Sequence, residues 1–218
     1  MMKPLNIRKL TCLAVLCGIT GGVSAQESPW FVRAGVASIQ YQSDADITVG
    51  GGPVPGAALN LSDSTTLAAE IGYWLTPSAA LRATVGIPPK TRIEGRGTVA
   101  PLGQLGEVKY APAMLTGTYS FDLGAIKPYI GGGIAYIHVL ESKDGAVAGL
   151  DVKSRFGGVL QVGVDIPIDK SWGLFVDFRK LYWKTKATGT APAFGGAPVK
   201  ADLKPSPFVV MAGVSKRF

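Results

Sequence analysis

The amino-acid sequence predicts an all-β fold: an eight-stranded antiparallel transmembrane β-barrel with short periplasmic turns and long extracellular loops. Three observations lead there. Eight segments alternate apolar and polar residues with a period of two, the pattern of strands whose two faces meet different surroundings. After the first 25 residues no run is apolar for the roughly 18 residues that a membrane helix needs, although 47% of the chain is hydrophobic. Short and long connectors alternate strictly along the chain. Apolar content without a long apolar run is what a membrane barrel produces, because every second residue faces the lumen.

The chain opens with Lys3, Arg8 and Lys9 and no acid, then a short apolar run at residues 10–19 and the small residues Val23, Ser24 and Ala25. That is the pattern of a secretory signal peptide over residues 1–25, too short to span a bilayer. Residues 26–218 then form the barrel domain. Cys12 and Cys17 both lie in the signal segment, so the remaining chain has neither disulfide nor thiolate metal site. Loss of the three signal-segment cations lowers the formal charge of +7 by three, to +4. A modest positive charge with no basic stripe argues against nucleic-acid binding and suits contact with anionic lipid headgroups.

The first strand is expected at 29–41, with Trp30, Val32, Ala34 and Val36 opposite Arg33 and Gly35. The second, 65–75, sets Leu67, Ala69, Ile71, Tyr73 and Leu75 against Ala68, Glu70, Gly72 and Trp74. The third, 79–87, sets Leu81, Ala83, Val85 and Ile87 against Arg82, Thr84 and Gly86. The fourth spans 109–121, with Ala113, Leu115, Tyr119 and Phe121 on its apolar face. In the fifth, 127–140, Ile130, Ile134 and Tyr136 compete with Tyr129, Ile137 and Val139, and the first set is placed outside. The sixth, 152–166, opposes Leu160, Val162, Val164 and Ile166 to Gln161, Gly163 and Asp165. The seventh, 172–182, opposes Trp172, Leu174, Val176 and Phe178 to Asp177 and Arg179.

The last strand, 205–218, places Phe208, Val210, Ala212 and Val214 on one face and ends on Phe218. A strand can lie in lipid only with its backbone fully paired and its outer face apolar. A closing aromatic resembles the assembly signal of outer-membrane barrels, which implies a bacterial outer-membrane location and a barrel-assembly machinery as partner. Connectors 76–78, 122–126 and 167–171 are short. Those at 42–64, 88–108, 141–151 and 183–204 are long, mostly rich in Gly, Ala and Pro, and are expected as loops. Trp30, Tyr73, Tyr119, Phe121, Tyr129, Trp172 and Phe218 gather at the short-turn side, where an aromatic girdle belongs.

The motifs WFVRAG at 30–35, YWLT at 73–76, KPYIGGG at 127–133, QVGVD at 161–165 and the run from Trp172 to Asp177-Phe178-Arg179 come in order over the whole chain after residue 25. Together they resemble the OmpW family of small outer-membrane barrels. Two departures stand out: Lys216 precedes Arg217-Phe218 where the family usually carries a tyrosine, and Pro88-Pro89-Lys90-Thr91 replaces a Pro-Phe-x-His pattern. The resemblance implies passive passage of small hydrophobic molecules through a narrow apolar route that opens sideways into the membrane. It implies outer-membrane lipids and lipopolysaccharide as surroundings, small hydrophobic ligands, and no cofactor.

The residues themselves suggest how. An eight-stranded barrel is only wide enough to be filled by its own side chains. Inward-facing Arg33, Glu70, Arg82, Asp165, Asp177 and Arg179 lie near the short turns and balance in charge, so they are expected to pair as an ionic plug or, more simply, to stabilise the barrel. Trp74 and Tyr129 face inward beside them. Pro88 and Pro89 cannot donate to a ladder; they either open the wall as a lateral gate or merely end the third strand at Ile87. Val54, Ala57, Ala58, Leu59 and Leu61, with Pro192, Ala193, Phe194 and Pro198, are candidates for an apolar funnel. Gly131 to Gly133 run on into a strand with no helix after them, which excludes a phosphate loop. His138 points outward near the upper rim, with Glu141 and Ser142 beyond it in the loop, and no catalytic constellation is visible. A surface-recognition barrel and a lipid-modifying enzyme are the alternatives.

Overall fold

The structure is a computed structural model that describes residues 28–218; the expected signal peptide lies outside the described residues. Fifteen strands follow in chain order: β1 (Trp30–Gln40), β2 (Ser43–Val49), β3 (Gly52–Pro53), β4 (Ala57–Leu61), β5 (Ser64–Trp74), β6 (Ala79–Gly86), β7 (Lys90–Gly97), β8 (Gln104–Ser120), β9 (Lys127–Asp144), β10 (Ala148–Val152), β11 (Arg155–Pro167), β12 (Trp172–Trp183), β13 (Thr185–Ala191), β14 (Ala197–Pro205) and β15 (Phe208–Arg217). Two single turns of 3₁₀ helix, Ala100–Leu102 and Pro192–Phe194, are the only helical pieces among the described residues.

Eight of these strands close the barrel. Each pairs antiparallel with its neighbours in the ring β1-β5-β6-β8-β9-β11-β12-β15, and β15 returns to β1 from Phe31↔Arg217 to Gln40↔Phe208. Closure leaves no free edge, which a strand surrounded by lipid requires. The eight expected segments all become barrel strands, with bounds that differ by a few residues. β8 and β9 are longer than the alternation suggested, because both run on past the apolar belt and pair there, Lys109↔Glu141 to Gly106↔Asp144.

Face assignments follow the alternation. Val36, Leu67, Ile71, Val85, Leu115, Ile134 and Leu160 are exposed on the outer wall, while Ala37, Ile39, Ile137, Val159, Leu181 and Met211 pack inside. In β9 it is Ile130, Ile134 and Tyr136 that face out. At the short-turn end Trp30 meets Tyr73 edge-on at 4.8 Å and Tyr119 meets Phe121 at 5.2 Å. Lys216 reaches 5.1 Å from the Trp172 ring, so its charge rides on the girdle rather than in the apolar belt. Tyr129 does not belong to this girdle: it is 3% exposed and turned into the lumen.

The long connectors are not open loops. β2, β3, β4, β7, β10, β13 and β14 are built from them, and β10-β13-β14-β2-β3 form a second sheet standing on the barrel. Ala187, Ala201 and Leu203 face its interior, packed with Ala45, Ile47, Leu59, Leu150 and Val152. The segments carry small residues on their buried faces, so their period-two contrast is too low to stand out in the sequence, yet the ladders Thr185↔Leu203 to Ala191↔Ala197 and Val199↔Val49 to Pro205↔Ser43 are regular.

Candidate functional site

At the short-turn end the lumen is crossed by an ionic network. Register places Arg33 opposite Glu70 in the β1–β5 ladder and Gln161 opposite Arg179 in the β11–β12 ladder, and alternation turns all four inward. Arg33 pairs with Asp165 and, at 3.4 Å, with Glu70. Arg82 lies 3.5 Å from Glu70 and 3.6 Å from Asp165. Arg179 donates to Glu70 at 2.7 Å and to Asp177 at 2.6 Å. All six are at most 8% exposed. Three acids meet three bases, so each buried charge has an opposite partner, the condition under which buried ions are tolerated.

Neutral side chains complete the network. The Tyr129 hydroxyl donates to Asp177 at 2.6 Å, Gln161 Nε2 donates to Asp177 at 2.5 Å and Thr84 donates to Glu70 at 2.9 Å. Arg82 Nε donates to Thr118 at 2.9 Å. The Arg82 guanidinium also stacks 4.1 Å from the centre of the Tyr129 ring. Trp74 sits below, 5.5 Å from Phe31 and facing Arg217. Glycine makes room for the rings: a Cβ on Gly72 would run into Phe31, and one on Gly163 would run into Tyr129 and come within 2.6 Å of the Val176 carbonyl.

Above the network the interior turns apolar. A lower chamber is floored by Arg179, Thr84 and Met114 and walled by Ala37, Ile39, Val209 and Met211. An upper chamber, lined by Leu61, Ile93, Val108, Val152 and Leu203, shares Tyr41, Tyr110, Ile137 and Trp183 with the lower one. A third, between Ile47, Leu59, Leu105, Val147 and Leu150, shares Ile93 and Leu203 with the upper chamber and lies between the second sheet and β4, β7 and β8. The three form one apolar column from the outer tip down to the ions.

The wall beside the lower chamber is interrupted. The β6–β8 ladder stops at Val85↔Ala113, and the β7–β8 ladder starts again only at Lys90↔Lys109. On the other side the ladder stops at Ala68↔Gly86 and restarts at Leu61↔Ile93. Pro88 and Pro89 occupy this break, and Pro112 lies across from them on β8; none has an N–H to offer. Isolated bonds span it: Tyr110 N–H to the Pro89 carbonyl at 3.3 Å, Ile87 N–H to the Leu67 carbonyl at 2.9 Å. The lower chamber reaches this break, since Thr66, Val85, Gly86 and Pro112 are among its lining residues and Val85 is 58% exposed on the outside.

Comparison with known proteins agrees with this architecture. The OmpW family model matches residues 26–218. The chain belongs to the OmpW family. The dibenzothiophene metabolism operon protein PahQ of Pseudomonas aeruginosa is 34% identical over 97% of this chain and all of that one. Outer membrane protein AlkL of Ectopseudomonas oleovorans is 33% identical, covering 79% of this chain and 74% of that protein; the solid-state NMR structure of AlkL in lipid bilayers superposes with a TM-score of 0.71, covering 93% and 97% of the two chains at 29% identity. The crystal structure of OprG from Pseudomonas aeruginosa shares the fold, with a TM-score of 0.81 at 20% identity over 88% of this chain and 97% of that one. This OmpW-family barrel is therefore a bacterial outer-membrane protein, with its short turns periplasmic and its second sheet extracellular.

The sequence located part of this site. Arg33, Glu70, Arg82, Asp165, Asp177 and Arg179 come together as one cluster with Tyr129, and Pro88 and Pro89 stand at the wall break. Phe218 closes the β15 end, its N–H 3.3 Å from the Trp30 carbonyl and its carbonyl accepting from Ser28 at 2.8 Å. Leu59 and Leu61 of the expected funnel face the apolar column, but Pro192, Ala193, Phe194 and Pro198 are exposed at the outer tip and line none of it. Gln161, Thr84 and Thr118 were missed as network members; their place two residues from Gly163, Arg82 and Thr116 on inward faces was the available signal. Tyr41 and Tyr110 lie at the ends of the first and fourth expected strands, and neither stood out there as a site residue. His138 is exposed beside Tyr136 and Ser154.

Proposed function

We propose that the barrel passes small hydrophobic molecules passively across the outer membrane, from the extracellular column sideways through the wall break at Pro88 and Pro89. The supporting observation is that the lower chamber joins lumen residues such as Met211 to wall residues such as Val85 and Pro112, immediately above the ionic network. In this scheme the network is a plug. A solute descending the apolar column meets paired charges whose desolvation it cannot replace, whereas the break leads to hydrocarbon. Movement downhill into lipid needs neither cofactor nor energy source, and no chemistry on the solute is required. The name of the PahQ relative, tied to a dibenzothiophene metabolism operon, supports an apolar solute. The barrel's working surroundings are outer-membrane lipid and lipopolysaccharide, reached by way of the assembly machinery that takes the strand ending in Phe218.

Uptake of a hydrophobic solute into vesicles tests the route. Replacing Pro88 and Pro89 together by Val restores two backbone donors at the break and should slow uptake while the barrel stays folded, as shown by heat-modifiable gel mobility. Uptake at the wild-type rate in that variant rules out the lateral gate.

A further inference from the structure

One level of the apolar column carries a cluster of hydroxyls. The phenols of Tyr41, just after β1, and Tyr110, on β8, hydrogen-bond to each other across the lumen. Both rings line the upper and the lower chamber, so the pair stands at the boundary between them. The Thr91 hydroxyl on β7 faces both phenols, and the Ser64 hydroxyl at the start of β5 faces that of Tyr110. Thr91 is 4% exposed and lines the upper chamber. Yet neither Thr91 Oγ1 nor Ser64 Oγ makes a well-formed hydrogen bond, although the phenols are close by.

Other polar groups of the upper and lower chambers are engaged. Lys153 pairs with Asp151, Thr185 donates to the Lys153 carbonyl, Thr66 donates to the Ile87 carbonyl, and Thr84 belongs to the ionic network. Unpartnered buried hydroxyls carry a free-energy cost that a valine of the same shape would avoid. The phenols beside position 91 leave its hydroxyl without a well-formed bond, and a visiting hydrogen-bonding group would supply one.

We propose that Tyr41, Tyr110, Thr91 and Ser64 form a hydrogen-bonding subsite for a single oxygen on an otherwise apolar solute: an alcohol, a phenol or a carbonyl compound. The inference rests on the passage proposed above and narrows its substrate class. A solute oxygen at this level accepts from one phenol and from Thr91, so the bond between the two tyrosines is exchanged rather than lost as the rings part. A pure hydrocarbon must part them with nothing in return.

The test compares 1-dodecanol with n-dodecane, solutes of like length that differ by one hydroxyl, in lipopolysaccharide-containing vesicles carrying the full barrel. The readout is the ratio of the two uptake rates. Thr91→Val and Tyr110→Phe should each lower that ratio about three- to tenfold, the worth of one net hydrogen bond. Thr91→Ser keeps the hydroxyl and should restore it. An unchanged ratio in folded Thr91→Val, or a ratio near one in the wild type, overturns the subsite and leaves the passage standing. Uptake of neither solute by the wild type overturns both.

Discussion

Glu70 touches three arginines, Arg33, Arg82 and Arg179, while every other charge of the network has at most two opposite partners. Glu70→Ala leaves three buried guanidiniums facing two carboxylates, Asp165 and Asp177. Breaking a buried pair by removing one partner costs about 3–5 kcal/mol. The expected result is a fall of that size in urea-unfolding stability; a loss below about 1 kcal/mol would show that the network contributes little. Gly163 is a different kind of constraint. Its missing Cβ is where the Tyr129 ring sits, so Gly163→Ala should push Tyr129 off Asp177 at a cost of about 1–3 kcal/mol. In a Tyr129→Ala background the same change should cost less, keeping only the part due to the Val176 carbonyl, and an equal cost in both backgrounds would disprove the coupling to Tyr129. The charged members of this site could be picked out from the sequence because an Arg or Asp on an otherwise apolar strand is conspicuous. Tyr41 and Tyr110 were not, because an isolated tyrosine at a strand end looks the same whether it faces lipid, water or another tyrosine.

The strands of the wall obey a simple rule of alternation, and its energetics should show on the outer face. Leu160 is 59% exposed near the middle of β11, paired with Gly132 and Lys180. An arginine there would face hydrocarbon, so Leu160→Arg should destabilise the barrel in lipid vesicles by about 2–4 kcal/mol. No loss in vesicles would mean that this face does not meet the bilayer core. The extracellular elements escaped the rule. In β13, Thr185, Ala187, Gly189 and Ala191 share a face, a set with almost no hydrophobic contrast to the outer one, and Gly and Pro in the flanking segments mark turns rather than strands. Their pairing into a second sheet comes from neighbours distant in sequence: β14 joins β13 by a hairpin but meets β2 across more than half of the chain. Pro88 and Pro89 were visible as ladder breakers. That the break lies on both sides of the strand, opposite Pro112, depends on register.

The whole molecule combines a closed barrel, a charged network at the periplasmic end and an apolar column that reaches the wall break; in the proposed scheme the network is a barrier. If the barrier closes the lumen, single-channel recordings of the wild-type barrel should show little ion conductance while hydrophobic solute enters vesicles. Steady conductance without solute uptake would contradict that arrangement and favour an ordinary small pore. The sequence by itself determined the number of barrel strands, the facing of each, the alternation of short and long connections and the six charges of the lumen. These follow from local rules: period-two patterning, turn chemistry and the expense of burying an unpaired charge. Only the tertiary structure decided which carboxylate meets which arginine, that the long connectors pair into a sheet, that the wall parts beside the lower chamber, and that two tyrosines meet across the lumen. Each of these depends on the register and closure of the ring, which bring together residues such as Tyr41 and Tyr110, 69 positions apart, whose meeting no local pattern encodes.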